Sequence, residues 1–309
     1  MKIQRSTEPQ ESLSNLAVLL FALGALLISS GASLAQTGDA APGYLTVSDV
    51  PHGTVSRVDY DSSALGTERE LVVYTPPGYA RDTRRYPVLY LLHGAGSDQS
   101  SWTERGRAHV IFDNLIAEGR MEPSIVVMPF GYAFQREPGA GRGDAAENKR
   151  QREGFARDLL EDVIPFVERT YAVSTARRDR AIAGLSLGGG QSLGIGLGNL
   201  EVFSHVAAFS PAMGAANNPE TGGVDFDRIL EDAAGVNGSL DLLWIGCGFE
   251  DTLFDSNREF AGLLVENGIE HVFRVTDGGH TYPVWQRYLY EVAPLLFRAE
   301  GLPEPARVE

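Results

Sequence analysis

The chain has 309 residues, 43% of them hydrophobic and 22% charged, and a formal net charge of -15. That composition excludes wholesale disorder, collagen and coiled coil. Such an acid excess opposes phosphate backbones, so nucleic acid is not an expected partner. The single cysteine, Cys247, excludes an intrachain disulfide and a cysteine-based zinc cluster.

Residues 1–35 read as an export signal. Lys2 and Arg5 give a basic start, and Leu16 to Ile28 is an unbroken apolar run. The run is shorter than the ~20 residues of a membrane span. Ser33 and Ala35 place small residues before a cut at Gln36. The expected product is one α/β domain over 36–309, secreted or periplasmic and free of the membrane after cleavage.

Strand-like alternation follows at Tyr44–Val50, Thr54–Tyr60 and Arg69–Tyr74, and Thr75-Pro76-Pro77-Gly78 is a turn. Continuous apolar runs at Pro87–Leu92, Ser124–Met128, Arg180–Ala183, His205–Phe209, Leu240–Ile245 and Val272–Val275 read as strands buried on both faces. Helical patterns at Val110–Ile116, Phe155–Tyr171, Leu187–Leu197, Glu259–Asn267 and Val284–Phe297 alternate with them. The predicted fold is a doubly wound, mostly parallel sheet with antiparallel N-terminal edge strands. Residues 131–152 are Gly-rich and aperiodic, and are expected to form one long lid-like loop. It carries more basic residues (Arg136, Arg142, Lys149, Arg150, Arg152) than acidic ones (Glu137, Asp144, Glu147).

The chemistry centres on Gly184-Leu185-Ser186-Leu187-Gly188, set between a strand and a helix. A serine nucleophile needs a sharp strand-to-helix turn with small residues two before and two after it. It also needs a base. His280, after Asp277-Gly278-Gly279, sits in a loop beyond a strand, whereas His271 opens that strand. The acid belongs past the preceding strand, where Glu250, Asp251 and Asp255 compete and position favours Asp251. Oxyanion donors are expected at the Leu187 N–H and in the turn His93-Gly94-Ala95-Gly96, from Gly94 or Ala95. His93 itself reads as structural, and Cys247 as a small buried hydrophobe.

These blocks resemble the esterase-D-like α/β-hydrolases, which include the feruloyl and acetylxylan esterases of carbohydrate esterase family 1. The likeness rests on Val73-Tyr74-Thr75-Pro76-Pro77-Gly78-Tyr79, Tyr90-Leu91-Leu92-His93-Gly94, the serine block through Gln191, Cys247-Gly248-Phe249-Glu250-Asp251 and Gly278-Gly279-His280. It implies an α/β-hydrolase fold, Asp251 as the acid, and Ala95 with Leu187 as oxyanion donors. It further implies a serine esterase acting on a hydroxycinnamic or acetic ester of a plant polysaccharide, with no cofactor and no metal. Leu187 stands where the family often has Met, a change that leaves a backbone donor intact. Trp102 and Gln191 are candidate substrate contacts, Trp102 being equally placed to fill the core. Trp285 is expected to anchor the helix after His280. A siderophore trilactone esterase, a mycolyl-type acyltransferase and a non-catalytic binding protein on the same scaffold are the rival readings.

Overall fold

The computed structural model describes residues 42–79, 84–135, 143–216 and 225–297. Its strands are β1 (Thr54–Ser62), β2 (Thr67–Thr75), β3 (Val88–Leu92), β4 (Ile125–Pro129), β5 (Arg180–Leu185), β6 (His205–Phe209), β7 (Leu242–Gly248) and β8 (Val272–Thr276). They form an eight-stranded sheet in the order β1-β2-β4-β3-β5-β6-β7-β8. β1 pairs antiparallel with β2, and β2 with β4; the other pairs are parallel. This is the α/β-hydrolase sheet that the strand pattern predicts.

The helices are α1 (Ser101–Glu104), α2 (Ala108–Ala117), α3 (Ala145–Arg157), α4 (Ile164–Thr170), α5 (Leu187–Gly198), α6 (Met213–Ala216), α7 (Phe226–Glu231), α8 (Ala233–Ser239), α9 (Phe254–Glu266) and α10 (Tyr282–Val292). They cover both faces of the sheet, which is why the parallel strands read as unbroken apolar runs. Side chains alternate between faces along each strand. In β3, Val88, Tyr90 and Leu92 join one core with Phe155, Leu193, Phe260 and Leu264 from α3, α5 and α9. Leu89 and Leu91 join the other with Ile111, Phe112, Trp285 and Leu289 from α2 and α10. Burying each such leucine contributes about 2 kcal/mol.

Two expectations need correction. Tyr44–Val50 is not a strand: Gly43–Leu45 is a 3-10 turn. The Asn114 side-chain amide donates to the carbonyls of Tyr44 and Thr46, so these groups need no sheet partner. Nor is 131–152 one loop. α3 begins at Ala145, its first turn capped by the Asp144 carboxylate, which accepts the Glu147 N–H. This helix shows little apolar period because only Gln151 and Phe155 are buried on it. It runs through a π-helical turn at Asp158–Val163 into α4. Residues 136–142, the middle of the expected lid, lie outside the described residues, as does the expected export signal. Among the described residues, no helix is long and apolar enough to cross a membrane.

Candidate active site

The loops leaving the carboxyl ends of β3, β5, β6, β7 and β8 carry Ala95, Ser186, Ser210, Asp251 and His280. In an open parallel sheet this edge is where ligand-binding loops converge. Ser186 sits at φ 53°, ψ -115°, between β5 and α5. A non-glycine residue in that conformation costs about 1–3 kcal/mol and persists only when its neighbours hold it. Here the Ser186 N–H donates to the Phe209 carbonyl at 2.8 Å, and the Ser186 carbonyl accepts the N–H groups of Gly190 (3.0 Å) and Ala212 (2.9 Å). The turn also needs its flanking glycines. A Cβ on Gly184 would lie 2.5 Å from the Gly188 carbonyl oxygen, and one on Gly188 would lie 2.4 Å from the His93 oxygen.

His280 Nε2 lies 2.9 Å from Ser186 Oγ, and His280 Nδ1 lies 2.8 Å from Asp251 Oδ2 and 3.0 Å from Oδ1. Asp251 is buried, and burial alone would raise its pKa. Hydrogen bonds from His280, the Leu253 N–H and Ser210 outweigh that and hold the carboxyl below its usual range. An ionised carboxylate only accepts, so Nδ1 carries the ring proton and Nε2 is left to accept from the serine hydroxyl.

The competing carboxylates point elsewhere. Glu250 Oε2 accepts the Gly278 N–H at 2.5 Å and so ties down the loop that carries His280. Asp255 is exposed on α9 beside Arg258. The close fit of the two loops explains Gly248, whose Cβ would lie 1.9 Å from the Gly278 oxygen.

The Leu187 N–H opens α5, in the first turn, where N–H groups have no intrahelical acceptor. Ala95 is exposed in the turn after β3, and among the described residues its N–H meets no acceptor. His93 beneath it is buried, and burial lowers its pKa. Its Nε2 accepts the Gly131 N–H at 2.9 Å, so Nδ1 bears the proton and donates to the Gly94 carbonyl at 2.8 Å. The structural reading of His93 agrees with this geometry.

Two candidate substrate contacts are not at the surface. Trp102 is fully buried, with its indole N–H donated to the Leu92 carbonyl, and its ring packs edge-on to Phe209. It therefore fills the core below the turn and offers no stacking wall. Gln191 is also buried, and its Nε2 donates to the Gly131 carbonyl at 2.7 Å, which makes it a loop anchor.

Ser210 gave no sequence signal. At φ 45° and fully buried, Ser210 accepts the Trp285 indole N–H at 3.1 Å, and its hydroxyl helps hold the Asp251 carboxyl below its usual range. Trp285 also packs edge-on to the His280 ring at 4.8 Å, so it anchors the histidine as well as α10. Beside the Ala95 turn lies a cavity of about 390 Å³ lined by Gly96, Phe130, Tyr132, Phe134 and Gln135. Neither Ser186 nor His280 lines it. Among the described residues, no three His, Cys, Asp or Glu side chains cluster as a metal site.

The Esterase family model matches residues 62–296, a span that holds every residue of this constellation. The chain belongs to this esterase family. It is 30% identical over 261 residues to an endo-1,4-beta-xylanase/feruloyl esterase of Xylanibacter ruminicola, covering 82% of this chain and 33% of that protein. It thus spans about a third of that relative's length. An acetyl esterase of Caldicellulosiruptor saccharolyticus is 22% identical, over 67% of this chain and 82% of its own. Among solved structures, the CE1 ferulic acid esterase of the anaerobic fungus Anaeromyces mucronatus superposes with a TM-score of 0.71 at 27% identity, over 82% of this chain and 94% of that one. The same fungal enzyme has been solved in complex with ferulic acid.

Proposed function

We propose that the protein is a secreted serine carboxylic-ester hydrolase working through an acyl-enzyme. Ser186 Oγ attacks the ester carbonyl while His280 Nε2 takes its proton. Asp251 holds the imidazole in the required tautomer and stabilises its charged form. The N–H groups of Ala95 and Leu187 bind the oxyanion. His280 then protonates the leaving alcohol, and afterwards activates the water that releases the acid.

The observation that carries this reading is the unbroken chain from Asp251 through His280 to Ser186, with contacts of 2.8 and 2.9 Å. The strained Ser186 turn supports it, because such strain gathers at functional sites. The substrate class rests on likeness to the feruloyl and acetyl esterases: a hydroxycinnamic or acetic ester, borne by a plant polysaccharide. Action outside the cytoplasm rests on the basic start, apolar run and small-residue cut site of residues 1–35.

The test is kcat/KM of the purified protein on methyl ferulate and p-nitrophenyl acetate, with Ser186→Ala as the blank. Turnover should fall by up to about 10⁶ in the variant. A preference for methyl ferulate supports an aromatic acyl site. Full activity in Ser186→Ala would refute the mechanism.

A further inference from the structure

The turn that carries Ala95 is held from behind by the loop after β4. The Gly96 N–H, one residue beyond Ala95, donates to the Tyr132 hydroxyl at 3.0 Å. One step back along that loop, the Gly131 N–H donates to His93 Nε2 at 2.9 Å, and the Gly131 carbonyl accepts from Gln191 on α5 at 2.7 Å. Gly131 therefore bridges the β3 turn and the helix that starts at Leu187, the two sources of the proposed oxyanion donors.

The loop is itself rigidly based. Arg69, buried on β2, donates to the carbonyls of Phe130 (2.7 Å), Tyr132 (2.7 Å) and Ala133 (3.0 Å). Its Nε–H donates to the Tyr60 hydroxyl at 3.1 Å, and Asp158 in the π-helical turn lies 3.2 Å from the same nitrogen. A fork with fixed geometry, bound to three carbonyls within four residues of the loop, leaves it little freedom. Gln151 of α3 adds to this by accepting the N–H groups of Ala133 and Phe134.

We infer that Tyr132 is a positioning residue for the oxyanion turn: by accepting the Gly96 N–H it fixes the Ala95–Gly96 peptide, next to the one that bears the Ala95 donor. The inference rests on the oxyanion role proposed above. A backbone donor works only when it already points at the developing charge, and a misplacement near 1 Å costs about 10²-fold. Gly96, at φ 71° and with open space where a Cβ would stand, has no side chain to anchor it. Tyr132 is also a wall of the 390 Å³ cavity. One ring thus faces the cavity and steadies the turn, so a ligand pressed against it bears on the oxyanion site.

The experiment compares Tyr132→Phe with Phe134→Ala, which alters the cavity wall without touching the turn. Three readouts are taken: kcat and KM on p-nitrophenyl acetate and methyl ferulate, the rate of Ser186 labelling by a fluorophosphonate, and the melting temperature. Tyr132→Phe should lower kcat on both esters about 10-fold or more with little change in KM. It should slow labelling by a similar factor at an unchanged melting temperature, since the exposed Gly96 N–H is taken up by water. Phe134→Ala should move KM and spare kcat and labelling. Wild-type kcat and labelling in Tyr132→Phe, or a change in its KM alone, would overturn the inference. Activity surviving in Ser186→Ala would instead refute the serine mechanism, so the two failures are distinguishable.

Discussion

Both carboxylate oxygens of Asp251 face the same nitrogen of His280, at 2.8 and 3.0 Å. Glu250, the adjacent residue, sends its carboxylate to the Gly278 N–H instead. Successive side chains in this tight turn diverge, so one residue holds the imidazole and the other holds the loop beneath it. Asp251→Asn should therefore leave the fold intact and lower kcat by about 10⁴, since the amide no longer enforces the tautomer. Glu250→Gln retains an acceptor for Gly278 and should keep kcat within about fivefold. Steady-state kinetics on p-nitrophenyl acetate check the pair. Equal losses would return the acid assignment to open competition.

Ser210 accepts the Trp285 indole N–H behind the site and helps lower the pKa of Asp251. In Ser210→Ala the Trp285 indole N–H loses its acceptor in a buried place, costing about 1–3 kcal/mol of stability. The Asp251 carboxyl also loses one influence that lowers its pKa, so kcat should fall about tenfold. Urea denaturation and kinetics read the two effects separately.

Gly188 carries a packing prediction. With the His93 and Leu92 oxygens 2.4 and 2.7 Å from its Cβ position, Gly188→Ala must push α5 away from the β3 turn. That should cost about 1–3 kcal/mol and lower activity about 10²-fold by parting Ala95 from Leu187. Gly262→Ala in α9, where a Cβ meets open space, should instead add up to about 1 kcal/mol. Chemical denaturation of both variants checks the contrast.

His205 sets a pH dependence away from the site. It is buried on β6, with Nδ1 2.7 Å from Ser204 Oγ and Nε2 accepting the Phe297 N–H at 3.2 Å. Burial lowers its pKa from 6.5 to about 4. The unfolded chain binds this proton first, so the folded state has its full advantage above pH 6.5 and loses it as pH falls toward 4. The loss from this group is about 3 kcal/mol. Burial lowers His93 and His271 in the same direction. Unfolding free energies measured between pH 7 and pH 4 should fall less steeply in His205→Gln than in the wild type.

The sheet was largely legible because strands buried on both faces write themselves as continuous apolar runs, as Leu89 to Leu92 and Leu242 to Ile245 do. Ser186 and His280 were legible because their backbone geometry requires glycines in fixed places. Tyr44–Val50 misled because alternation does not reveal whether the carbonyls pair with a strand or with a side chain such as Asn114. α3 was hidden because a mostly exposed helix has little apolar period. Trp102 was ambiguous for a related reason, since an indole serves equally as core or wall until its N–H partner is known. Ser210 and Tyr132 act through contacts 41 and 36 residues away along the chain or farther, and no local pattern marks them.

The central claim is that Ser186 carries the acyl group. It is tested most directly by quenching the wild-type protein during turnover of p-nitrophenyl acetate and locating the acetyl group by peptide mass spectrometry. The account predicts acetylation of the peptide containing Ser186, at the Ser186 oxygen, forming and decaying with turnover and missing in Ser186→Ala. Turnover with no acetyl-enzyme, or an acetyl group on another side chain that decays at the turnover rate, would contradict it.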